Sequence, residues 1–151
     1  MHESNGVRLK ITSKVLTSAD IESRLAIKPD EAWKIGDMTG AFGVILKEHG
    51  YALDSKAFIT APIADHLRSL IQRIAPVAKK IGEISTQATV AVSCQMRCKA
   101  VPSLAFERDD LRWFVALGAR LDIDLHMIVE RPAEPAKKPG GPAAGGATSG
   151  F

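Results

Sequence analysis

Three stretches of the chain alternate apolar and polar residues with a period of two, and this alternation limits the fold more than any other feature. In residues 7–15, Val7, Leu9, Ile11 and Val15 fall on one side and Arg8, Lys10, Thr12 and Lys14 on the other. In residues 89–100, Val90, Val92, Cys94, Met96, Cys98 and Ala100 oppose Thr89, Ser93, Gln95, Arg97 and Lys99. Near the end, Leu121, Ile123, Leu125, Met127 and Val129 oppose Asp122, Asp124 and His126. Successive side chains of a strand point to opposite faces, so each stretch is expected to be a strand with one face in a core and the other in water. Leu104 and Phe106, after Pro102, mark a shorter strand, and the segment from Gly43 to Ser55 a further strand or hairpin with Gly50 near its turn.

Helical spacing fills the gaps. Thr17 and Ser18 are N-cap residues for a short helix bearing Ile21 and Leu25, which must end before Pro29. A long amphipathic stretch starts at Pro62 and carries Ile63, Leu67, Leu70, Ile71, Ile74, Val77, Ile81 and Ile84 on one stripe, with Pro76 placed to kink or split it. A third helix begins near Asp109 or Asp110, uses Leu111, Phe114 and Val115 as its apolar face, and stops at Gly118, a left-handed cap. Half-polar strands alternating with amphipathic helices imply an α+β two-layer sandwich: a mostly antiparallel sheet, covered by helices on one face. A ferredoxin-like or duplicated strand-helix-strand arrangement is the expected topology.

The 151 residues suit one domain, expected over residues 1–130. Residues 131–151, rich in Pro, Gly and Ala, bury too little apolar surface to offset their ordering entropy, and a disordered tail is expected there. No apolar run approaches the ~18 residues of a membrane span, and the first residues lack an apolar segment after a basic one, so no membrane role and a cytoplasmic address are expected. The net charge is +3, but Arg131, Lys137 and Lys138 against Glu134 place +2 of it in the tail. The folded part is nearly neutral, and nucleic acid is disfavoured as a partner. Outward strand positions are Arg, Lys, Thr, Ser, Gln and Asp, with no aromatic to stack on bases.

The chemistry-bearing residues form no familiar constellation. Cys94 and Cys98 lie ~13 Å apart on a strand, too far for a disulfide, and are read as core thiols. Gly36, Gly40 and Gly43 do not match a dinucleotide fingerprint and are assigned to a turn-rich loop. Neither a serine nor a cysteine sits in a nucleophile motif. Asp122, Asp124 and His126 leave one face at ~6.6 Å steps, a spacing at which neighbours can share a metal, but Arg8, Lys10, Lys14, Arg97 and Lys99 on the same polar face account for the aspartates as cross-strand charge pairs. No cofactor is therefore assigned. Trp33 either lids the core over the first helix or lines a groove with Asp37.

Two short segments carry a family resemblance: Pro29-Asp-Glu-Ala-Trp33-Lys-Ile-Gly36-Asp37 and Leu117-Gly118-Ala119-Arg120-Leu121-Asp122-Ile123-Asp124. In both, and over residues 7 to about 129, the chain resembles DUF4279, a small bacterial domain of unknown function. The second motif of that family is commonly followed by Tyr, where this chain has His126, so a ring hydroxyl is missing there. The resemblance implies a small bacterial α+β protein without an assigned activity. Two functions are then carried forward. One is a non-enzymatic binding module, immunity-type or regulatory, that meets another protein through Arg8, Lys10, Lys14, Arg97, Lys99, Asp122, Asp124 and His126 or through the Trp33–Asp37 loop. The other is a metal-assisted or acid/base enzyme using Asp37, Asp122, Asp124 and His126, which requires those four side chains to converge.

Overall fold

In a computed structural model, which describes residues 2–133, seven strands and four α-helices follow the chain. They are β1 (Ser4–Ser13), α1 (Ser18–Leu25), β2 (Glu31–Trp33), β3 (Met38–Thr39), β4 (Val44–Ile45), β5 (His49–Asp54), α2 (Ile63–Ile74), α3 (Ala78–Ile84), β6 (Thr89–Cys98), α4 (Arg108–Leu117) and β7 (Ala119–Met127). The tail expected from residue 131 onward lies almost wholly outside the described residues.

Five strands form one sheet in the order β2-β5-β1-β6-β7, antiparallel except for the parallel pair β6–β7. The strand order is not interleaved, and the halves do not repeat one another: β1 and β5 are antiparallel neighbours connected through α1 and β2 to β4, whereas β6 and β7 are parallel neighbours connected through α4. The helices cover one face. Val7, Leu9 and Ile11 from β1, Tyr51 and Leu53 from β5, and Val90, Val92, Cys94 and Met96 from β6 meet Ile21, Leu25, Leu67, Leu70, Ile74, Ile81, Ile84, Phe114 and Leu117. Among the described residues, no helix is long and apolar enough to cross a membrane.

Local chemistry explains the boundaries. Thr17 and Asp20 form a reciprocal capping box at the start of α1, and the Tyr51 hydroxyl donates to the Ile27 carbonyl at 2.6 Å, tying the end of that helix to β5. Pro76 does split the long helix, leaving a 3-10 turn at Ala75–Val77 between α2 and α3. Gly118 closes α4 in the left-handed region. Cys94 is fully buried, and burial pushes its thiol up to about 11; Cys98, at the strand end, is half-buried.

Four expectations need correction. Val15 is exposed, because β1 stops at Ser13, whose buried hydroxyl accepts from the Val15 and Leu16 amides and turns the chain so that Leu16 enters the core. No strand forms at Leu104 and Phe106; they lie in a connection packed on the core, where Phe106 meets Phe114 edge-to-face at 6.1 Å. Leu111 and Val115 are exposed, since α4 turns Phe114 and Leu117 inward and approaches α3 closely at Gly82. Gly50 is within β5, not at a turn, opposite Trp33 on one side and Thr12 on the other.

Candidate functional site

The polar face of the sheet is read from its register. One row crosses it from Glu31 through Ala52, Lys10 and Ala91 to Arg120; the next runs from Asp54 through Arg8 and Ser93 to Asp122; a third joins Gly6, Gln95 and Asp124. Ala52, Ala91 and Ser93 are buried small residues, so the middle of the face forms a trough between longer side chains. The segment after β2 rises beside it. Its β3–β4 hairpin turns between Gly40 and Gly43, both at positive φ, and Thr39 and Leu46 join the sheet residues in lining a cleft of about 640 Å³. That volume is within the range of small-ligand sites.

One wall of the cleft is electrostatically fixed. The Arg8 guanidinium donates to both oxygens of Asp54, at 2.6 and 3.1 Å, and to Glu31 at 2.5 Å. The Asp54 hydrogen bond, against the opposing cost of burial and with help from Glu31, holds Arg8 charged well above its ordinary range. Behind it, Asp30 accepts from Arg73, from the Asp54 amide at 2.8 Å and from Lys56 at 2.9 Å. Burial works against ionisation of Asp30, but Arg73, the amide and Lys56 together outweigh it and hold the carboxyl well below the usual carboxylate range. Lys10, in the middle of the trough, has no ion-pair partner among the described residues. On the far wall Asp122 pairs with Arg120 at 3.1 Å, beside Asp124.

The indole of Trp33 lies across Gly50 on this same face. A Cβ at Gly50 would fall 1.8 Å from Trp33 Cε2. Trp33 thus borders the cleft on the face away from the helices, and it shares a separate hollow with Asp37, Thr17 and His49; the polar face does carry an aromatic, contrary to the outward positions read from the three long strands.

The remaining candidates lie elsewhere. Asp37 accepts from the Lys34 amide at 2.9 Å, while its own carbonyl accepts from Leu46 at 2.8 Å, so it shapes the base of the hairpin. Lys14 is beyond β1 in a neighbouring hollow with Lys10, Trp33 and Lys47. Arg97 and His126 stand opposite each other at another depression with Ser4 and Gly6. Lys99 has left the face, pairing with Glu130 at 2.8 Å. Asp122 and Asp124 thus share the cleft, while Asp37 and His126 do not line it. Among the described residues no three His, Cys, Asp or Glu side chains are placed to hold one metal ion.

Sequence reasoning did not find Glu31, Asp54 or the Asp30 network, all of which depend on pairings between residues 19 to 46 positions apart. It also missed a Ser55–His66 contact of 2.6 Å. Burial pushes that imidazole down, and Asp65 beside it pairs with Arg68, so the contact reads as a tie between the residue that follows β5 and α2.

Fold and cleft together define an open-faced α+β sandwich whose solvated sheet surface is bordered by a hairpin. The chain belongs to the DUF4279 family: the model of that family, described as a domain of unknown function, matches residues 2–128. Neither the curated proteins nor the solved structures give a match.

Proposed function

We propose that this protein is a non-enzymatic binding module, and that the cleft on the polar sheet face receives part of another protein. One observation carries the reading. The two segments that bear the family resemblance, remote in sequence, line the same cleft, with Glu31 and Trp33 from the first and Leu121 to Asp124 from the second. The cleft presents fixed charges of both signs and an aromatic platform, a combination suited to selecting a partner by electrostatic complementarity. The alternative reading, an acid/base or metal-assisted enzyme using Asp37, Asp122, Asp124 and His126 together, finds less support, because Asp37 and His126 lie outside the cleft.

Charge reversal tests it. Lys10→Glu should leave the melting temperature nearly unchanged, because Lys10 has no ion pair to lose among the described residues and a substitution away from the core and from fixed networks changes stability by only ~0.5 kcal/mol. Capture of the physiological partner from a host extract by the immobilised variant should fall at least tenfold relative to the unsubstituted protein. Undiminished capture by a folded variant would remove the cleft from the account.

A further inference from the structure

The sheet ends in two unlike edges. β2 is only three residues long. β7 is nine residues long and stays in unbroken parallel register with β6 from Ala119 to Met127, while no strand among the described residues pairs with its outer side. Proteins blunt exposed edges with short strands, Pro, Lys, bulges or charges that point inward. β7 is protected only by the charges of Arg120, Asp122 and Asp124 on its polar face: its sequence holds neither Pro nor Lys, its register shows no bulge, and its helix-side positions are the uncharged Leu121, Ile123, Leu125 and Met127. Ile123, Leu125 and Met127 remain 45%, 41% and 44% exposed. This departs from the buried strand face expected from the alternation, and it leaves apolar surface where the side chains of an adjoining strand would lie.

The opposite face of β7 says what kind of strand fits. A second copy added antiparallel with all nine residues overlapping would centre on Ile123 and set Asp122 against Asp124 twice, and like charges directly opposite are destabilising. On that face Arg120 pairs with Asp122 at 3.1 Å and Asp124 has no ion-pair partner among the described residues, so the centre of β7 favours a strand bearing Lys or Arg opposite Asp122 and Asp124 and an uncharged residue opposite Arg120. We propose that the outer edge of β7 accepts an extended segment of a partner protein as a sixth strand, its basic side chains over Asp122 and Asp124 and its apolar ones against Ile123, Leu125 and Met127. Backbone hydrogen bonds would supply affinity and the alternating side chains selectivity. The inference rests on the binding-module reading and specifies one partner segment along the acidic wall of the cleft.

A blocked nonapeptide with Val at its odd positions, Thr at the second and eighth and Lys at the fourth and sixth, and its counterpart with Glu for Lys, test it against isotope-labelled protein by NMR titration. The Lys peptide should shift and protect β7 amides, the Glu peptide should bind at least tenfold more weakly, and Asp124→Lys should reverse the preference. Equal affinity for both peptides, perturbation confined to the helical side, or no binding at millimolar peptide would overturn the proposal. So would a concentration-dependent dimer abolished by Ile123→Lys, which would make a second copy the occupant. If the peptides fail while Lys10→Glu still abolishes partner capture, the cleft reading stands and only the edge is lost; the reverse pattern removes the cleft and keeps the edge.

Discussion

Gly50→Ala should destabilise the protein by about 3 kcal/mol, at the upper end of what an overpacked site costs. The reason is local: the added methyl would enter the Trp33 indole, and β5 is paired on both sides, with β1 and with β2, so Gly50 itself has little room to retreat. The indole must move instead, and it carries one wall of the cleft with it. Two measurements separate this from a general intolerance of β5. In a Trp113→Phe background, fluorescence should report a more exposed Trp33 in the folded variant. In a Trp33→Ala background, the same Gly50→Ala change should cost under ~1 kcal/mol, giving a large coupling energy in a double-mutant cycle. An equal cost in both backgrounds would show that the indole is not the obstacle.

Asp30→Ala should cost about 2–3 kcal/mol at neutral pH, since it strips partners from Arg73, Lys56 and the Asp54 amide at once. The cost should also depend on pH. The folded-state carboxyl is held below its unfolded value, so its contribution is complete above the ordinary carboxylate range of about 4 and is lost as pH falls through the depressed folded value. Denaturant melts of the two proteins should therefore converge as pH is lowered from 5 toward 2. A constant difference over that interval would assign the loss to packing and not to charge.

The part of the fold legible in the sequence is the part where one face is wet. Alternation located Val7, Leu9 and Ile11 and Val90, Val92, Cys94 and Met96 on the core side because the opposite face of these two strands carries only polar or small side chains. At the sheet edge the same pattern named the correct face of β7 but not its burial, as Ile123 and Leu125 have a strand on one side only. The glycines were legible where conformation demands them, at Gly118 and in the hairpin, and misleading at Gly50, where the residue is small because a ring approaches it. The site was legible as a list of charged residues and not as a geometry. That Lys10 stands in the trough while Lys99 pairs with Glu130 follows from the register and from where β6 ends, and neither is written in local composition.

Binding on the polar sheet face, as proposed, is tested most directly by amide hydrogen exchange of the protein alone and with its captured partner. Slowed exchange is expected in residues 34–46 and along 121–125, around the cleft, with α2 and α3 unchanged. Protection confined to the helical layer, with those two segments unaffected, would contradict it.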